Sequence, residues 1–255
     1  MDHHFDLVVI GSGSGNSIVD KRFADWKVAI IEKGLGPLDS FGGTCLNVGC
    51  IPTKMFVHTA DTARAPEHGA ELGIDLALRG IDWPAVRDRV FGRIDPLAAD
   101  GERYRATGHG NVALYRGTAR FTGERRLAVD TAEGPITITA DQVVVAVGSR
   151  PDIPDVPGLD HTLGYHTSDT VMRMDRLPRR MTILGSGFVA TEMAHVFSSL
   201  GVEITLIARS DVLLRHEDTD VARRFTELAQ NRWDVRLNRK TAGRRQRRRQ
   251  AAPRP

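Results

Sequence analysis

The apolar and polar positions open on a buried strand. Phe5-Asp6-Leu7-Val8-Val9-Ile10 is a short, nearly unbroken apolar run, the pattern of a strand covered on both faces. A glycine-rich turn follows at 11–17, and the pattern then predicts a helix from about Ser14 to Ala24. Lys27 to Glu32 is a second apolar run, completing a βαβ unit. A helix is predicted from Cys50 through Arg64, with Pro52 in its first turn. Another should span about Trp83 to Thr107, with a break at Pro96. From Ala113 the period becomes two. The runs 113–121, 126–130 and 136–139, with turns at Thr122-Gly123 and Glu133-Gly134-Pro135, read as an antiparallel meander. Gln142 to Gly148 reads as one more buried strand. After Pro151, Pro154 and Pro157 the βαβ logic repeats: strand 181–184, a helix to about Leu200, strand 202–207. A helix over 219–230 and a strand over 233–237 complete the pattern.

These elements predict an α/β fold of two Rossmann-like domains, over 1–150 and 151–240, the first carrying the antiparallel meander. Composition agrees: 41% hydrophobic residues and 25 glycines in 255 fit a soluble α/β protein. No apolar run reaches membrane-spanning length, and Met1 to Asp6 lacks the pattern of a secretory leader, so a cytoplasmic location with no membrane partner is expected. The net charge of +3 belongs to the end of the chain. Six of the 35 basic residues lie in Thr241–Pro255, which leaves 29 against 32 acidic ones. Residues 241–255 have no apolar period and are expected to be a disordered basic tail, of the kind translation in a wrong frame produces. A nucleic-acid arm would also be basic, but nothing else in the chain supports one, and no nucleic-acid partner is expected.

Three stretches carry candidate chemistry. The first is Gly11-Ser12-Gly13-Ser14-Gly15-Asn16-Ser17, between strand and helix. Gly11 would permit the tight turn, and Gly13 would let the backbone approach a pyrophosphate. Glu32 ends the next strand, 21 residues after Gly11, where an acid would bond a ribose hydroxyl. Asn16 stands where a third glycine is usual. The second stretch is Gly42-Gly43-Thr44-Cys45-Leu46-Asn47-Val48-Gly49-Cys50-Ile51-Pro52-Thr53-Lys54, which holds the two cysteines of the chain. In a reducing compartment such a pair is redox-active or metal-binding, and for a metal only His58 stands near as a third ligand. No metal is expected. The third is Gly185-Ser186-Gly187-Phe188-Val189-Ala190. No acid ends the strand after it. Arg209 does, with Arg215 six residues on, which suits the 2′-phosphate of NADP unless both are solvated surface arginines.

Taken together, these motifs resemble the N-terminal half of the flavin-dependent pyridine nucleotide–disulfide oxidoreductases, the glutathione reductase-like family. The resemblance runs from residue 1 to about 239. Within it, the stretches 11–17, 90–96 and 165–173 are most similar to the actinobacterial branch that reduces mycothione. It implies two cofactors, FAD and NADPH. Gly11, Gly13, Ser14, Gly15 and Glu32 would hold the adenosine diphosphate part of FAD, with Gly43, Thr44, Lys54, Gly148 and Asp169 on the flavin side. Gly185, Gly187, Arg209 and Arg215 would hold NADPH. Cys45, Cys50, Lys54 and Glu192 would be catalytic, with Glu192 paired to Lys54. By the same resemblance Cys50 faces the flavin and Cys45 attacks a small disulfide substrate, mycothione, with glutathione reductase or dihydrolipoamide dehydrogenase chemistry, or a non-catalytic nucleotide-binding fragment, as alternatives. Family members are homodimers of about twice this length. Their second half supplies an interface domain, a His-Glu proton donor and strands that return to the FAD domain. Without those strands the first sheet is expected to have an open edge and an exposed apolar face.

Overall fold

The computed structural model describes residues 2–36, 38–108, 110–159 and 164–239; the basic tail predicted at 241–255 lies outside them. The chain divides into two compact units. The first is formed by Met1–Pro151 with Ser168–Leu177, the second by the remainder.

In the first unit, β1 (Asp2–Ile10) and β2 (Val28–Glu32) pair in parallel. The helices α1 (Gly43–Asn47), α2 (Cys50–Ala63), α3 (Ala65–Glu71) and α4 (Trp83–Thr107) follow. Then come β3 (Val112–Gly123), β4 (Arg126–Thr131) and β5 (Gly134–Val145). β3 pairs with β2 in parallel through 112–116 and with β4 antiparallel through 117–123. β5 runs antiparallel to β4 and parallel to β1. The five strands thus close on themselves in the order β1-β2-β3-β4-β5. Phe5, Val8, Ala29, Ile31, Leu127, Val129 and Ile138 form one buried cluster; Leu7, Val9, Val28, Ile30 and Val112 form another. β1 and β2 are covered on both faces, which explains their unbroken apolar runs.

Four expectations change here. The last strand of the meander and the strand over 142–148 are not separate: one long strand, β5, carries both, because residues 134–139 serve β4 while 137–145 serve β1. The open edge is therefore partial. Residues 134–136 of β5 pair with β4 alone and 137–139 on both sides; past the Ala140 N–H, which donates to the Arg125 carbonyl at 3.0 Å, residues 142–145 pair with β1 alone among the described residues. Val145 and Val147, 59% and 64% exposed, mark that edge. The predicted helix over 14–24 is replaced by two 3₁₀ turns, Ser14–Ile18 and Lys21–Phe23. Glycine, serine and asparagine are poor helix formers, and the Asn16 amide donates to the Ser12 and Gly13 carbonyls (3.0 and 3.4 Å), competing with a regular ladder. Asp20 then caps a new turn by accepting the Arg22 N–H. Finally, α4 runs unbroken through Pro96. The residue four before Pro96 is Gly92, and burial of Val90, Phe91, Ile94 and Ala98 holds both sides of the proline in one helix.

The second unit contains β6 (Arg180–Leu184), α5 (Phe188–Ser199), β7 (Glu203–Ile207), α6 (Thr219–Gln230) and β8 (Asp234–Arg236). Its strands form a parallel sheet in the order β6-β7-β8. Met193, Ala194, Val196 and Phe197 of α5, with Ile204 and Leu206 of β7, are buried. Asp218 caps α6 by accepting the Asp220 and Val221 amides. No helix among the described residues is long and apolar enough to cross a membrane.

Candidate functional site

The first glycine turn is built around Glu32. Its side chain is buried at the end of β2 and accepts the Ser12 N–H at 2.7 Å and the Gly34 N–H at 2.6 Å. The buried Ser12 hydroxyl in turn accepts the Gly42 N–H at 2.8 Å. The turn, the end of β2 and the cysteine stretch are thereby tied together. Two glycines lie against each other at this junction. A Cβ on Gly43, whose φ is +70°, would fall 2.6 Å from the Gly13 Cα. Only glycine fits there, since the left-handed backbone and the contact both exclude a side chain.

The same reasoning separates two classes of glycine. Gly11 (φ +110°) and Gly15 are required by the protein: a Cβ would lie 2.3 Å from the Ala146 carbonyl oxygen and 2.5 Å from the Ala146 Cβ. Gly13 is not, because its Cβ would meet only the Gly43 Cα at an ordinary 3.6 Å. Around Cβ positions on Gly148 and Gly187 no atom lies within 4 Å. A bare backbone bordered by open space fits a ligand that must come closer than a methyl group would allow. The residues present therefore fit a dinucleotide.

The cysteines sit on two short-coupled helices. Thr44 and Cys45 lie in α1. Gly49 lets α2 start immediately, since a Cβ there would be 2.9 Å from the Thr44 carbonyl. Cys50 is the first residue of α2, and both thiols are free. Cys45 is half-buried and Cys50 exposed. The Cys50 side chain hydrogen-bonds to Cys45 and, with burial and the charge of Cys50, raises the Cys45 pKa; the backbone amides of Cys50 and Ile51 pull it the other way. The amides at the start of α2 thus favour the charged form of Cys45. Two thiols in contact beside such amides can cycle between dithiol and disulfide. Lys54 lies one turn further along α2 and is exposed.

Asp169 reaches the same unit from beyond the proline-rich connection. Its segment, 168–177, is fastened to α2 and α4. Met172 is buried and accepts a hydrogen bond from Thr53 (3.8 Å), and Trp83 Nε1 donates to the Met174 carbonyl at 2.7 Å. Arg173 forms a two-pronged pair with Asp95 (2.6 and 3.2 Å) and stacks 3.6 Å over the Phe91 ring. Neither Ser12 nor Arg173 was singled out from the sequence; only the assembled turn and segment reveal them.

In the second unit, Gly185 takes φ +146° and Gly187 precedes α5. The loop after β7 folds back onto this turn. The Leu214 N–H donates to the Ser186 carbonyl at 2.7 Å, and the Ser186 and Ser210 hydroxyls are 3.1 Å apart. Arg209 and Arg215, both exposed, each adjoin one of these fastened residues, so their backbones border the fingerprint. Glu192 lies on α5 and is half-buried. Among the described residues no cluster of three or more metal-ligating side chains occurs.

The sequence profile of the pyridine nucleotide–disulphide oxidoreductases matches residues 5–251. The chain belongs to this family. The family binds FAD and NAD(P)H, and the match extends past residue 239, where the resemblance of motifs stops. Mycothione reductase of Mycobacterium tuberculosis H37Rv is 48% identical over 240 residues, covering 92% of this chain and 50% of that protein. Mercuric reductase of Streptomyces lividans is 34% identical, covering 84% and 44%. Among solved structures, the HOCl-induced flavoprotein disulfide reductase RclA from Escherichia coli superposes with a TM-score of 0.77 at 26% identity, over 93% of this chain and 50% of that one. The chain thus spans about half the length of the relatives it matches.

Proposed function

We propose that the protein acts in NADPH-dependent reduction of a low-molecular-weight disulfide, mycothione, through FAD and the Cys45–Cys50 pair. The observation that carries this reading is the junction of Gly13 with Gly43, which sets the cysteine stretch directly on the nucleotide turn. The two compact units would then be the FAD-binding and NADPH-binding domains. Bound FAD would take reducing equivalents from NADPH and deliver an electron pair to the Cys45–Cys50 disulfide. The chain's own chemistry follows from the thiols. As a thiolate, Cys45 attacks one sulfur of the substrate; the other half leaves and takes up a proton. Cys50 then attacks the Cys45 sulfur, releasing the second substrate thiol and restoring the disulfide. The amides of Cys50 and Ile51 support negative charge on Cys45 during attack. Identity of 48% with a mycothione reductase favours mycothione as the substrate.

A second reading is favoured by the edge of β5. Among the described residues, 142–145 pair with β1 alone and Val145 is exposed, as expected of a sheet that takes a further strand. On that reading the chain binds nucleotide, but turnover requires more polypeptide. One experiment separates the two. The purified protein is titrated with FAD, treated with NADPH, and its free thiols are counted. The reductase reading expects saturable FAD binding, two new thiols per chain dependent on NADPH, and repeated turnover of mycothione. Two thiols without turnover would favour the second reading, and absence of FAD binding would sink both.

A further inference from the structure

We propose that Arg105 is the positioning residue of the first nucleotide turn: reaching across from α4, its guanidinium fixes the 3₁₀ turn after Gly13 and places a positive charge behind it for the pyrophosphate of FAD. This rests on the FAD reading above.

The argument starts from what the turn lacks. A regular helix after the glycine turn would fix the direction of its first amides through successive hydrogen bonds and add a positive dipole end. Here there are five residues of 3₁₀ turn, tied at its two ends by Asn16 N–H to the Gly13 carbonyl (3.0 Å) and Val19 N–H to the Asn16 carbonyl (3.2 Å). A structure so short has little cooperative stability of its own. Arg105 reaches it from α4. Nη2 donates to the Asn16 carbonyl at 3.1 Å and Nη1 to the Val19 carbonyl at 3.3 Å. These carbonyls end the turn, and the planar guanidinium joins them in one rigid fork.

The charge is the second element. Among the described residues Arg105 faces no carboxylate: its partners are the two carbonyls, with the Tyr104 ring 5.7 Å away. Asp20, next to Val19, is already engaged by Arg22 at 2.9 and 3.1 Å. Burial lowers the Arg105 pKa, yet an arginine stays protonated. A half-buried cation without an anionic partner, set behind a turn whose open side fits a pyrophosphate, acquires its counter-charge when the dinucleotide binds. Its place in the last turn of α4 would also suit the dipole of that helix, but both of its donors leave α4 for the nucleotide turn.

The test compares wild type, R105K and R105Q without and with FAD. Amide hydrogen exchange is followed at Asn16 and Val19 in the unliganded protein, and FAD affinity by quenching of flavin fluorescence at two salt concentrations. The expected result for R105Q is faster exchange at those two amides, unchanged exchange in β1, β2 and α4, and a Kd for FAD raised tenfold or more. R105K should recover most of the affinity at low salt and lose it at high salt, because it keeps the charge without the fork. Wild-type affinity in R105Q would overturn the proposal, as would exchange accelerated throughout the first unit, which marks a general structural role. If wild type binds no FAD, the FAD reading falls and the role toward pyrophosphate with it; faster exchange confined to Asn16 and Val19 in R105Q would still support the hold on the turn.

Discussion

Replacing Gly13 by alanine should separate folding from nucleotide binding. Gly13 has φ −70° and ψ −157°, an extended conformation open to any residue, and its Cβ would make one ordinary contact at 3.6 Å. Removing a glycine from the unfolded chain restricts it, which by itself stabilises by about 0.4–1 kcal/mol. Gly13→Ala should therefore hold or slightly raise Tm, since about 1 kcal/mol moves Tm by about 2–4 °C in a chain of this size. Gly11→Ala is the contrast. Its φ of +110° and the 2.3 Å approach to the Ala146 carbonyl oxygen put the side chain in strained backbone and in overlap together. A cost of about 3 kcal/mol or more follows, or a fall in Tm of about 6–12 °C. Affinity should order the other way. A methyl at Gly13 keeps the pyrophosphate from the amides, and losing one charge-assisted hydrogen bond costs about 1.5–3 kcal/mol, roughly 10–100-fold in Kd. Circular dichroism melts and FAD titration read the two quantities on the same samples. Gly13→Ala with wild-type FAD affinity would refute the assignment, and a loss of Tm equal to that of Gly11→Ala would refute the division of the glycines.

Two further predictions concern the thiols and the second unit. In the reduced protein, Cys50→Ala removes the largest cause holding the Cys45 pKa up, so alkylation of Cys45 should reach half-maximal rate at lower pH than in wild type; an unchanged or higher midpoint would contradict the contact between the thiols. Arg209→Gln with Arg215→Gln should weaken NADPH binding by roughly 10–100-fold, as loss of charge-assisted bonds to a phosphate does, while leaving NADH binding within about twofold. Equal losses for both nucleotides would return these arginines to the role of surface charges.

Much of the site was legible because its signals are local. A tight turn, a close backbone approach and a strand-ending acid are each written in a few consecutive residues, and in the structure Gly11 takes the positive φ of the turn while Glu32 ends β2 and accepts the Ser12 and Gly34 amides. The start of α2 at Cys50 was legible for the same reason. The short turn at 14–18 was not, although Asn16 in place of glycine marked the departure. Whether a helix or a 3₁₀ turn forms there depends on competing side-chain bonds and on Arg105, almost ninety residues away. The length of β5 was misread because the change from period two to a solid apolar run suggested two strands. In fact one strand changes neighbours along its length, and each half records the burial of its own surroundings.

By itself, then, the sequence determined the order of strands and helices, the two glycine fingerprints and the proximity of Cys45 to Cys50, since these depend on spacing along the backbone and on which faces must avoid water. The tertiary structure alone decided which glycines serve the fold and which face open space, that the amides of Cys50 and Ile51 favour charge on Cys45, and that Ser12, Arg105 and Arg173 support the site. The reason is physical. A Cβ clash, a carbonyl reached by a distant guanidinium and a strand that changes partners are set by distances through space between residues far apart in the chain, and no local pattern encodes those distances.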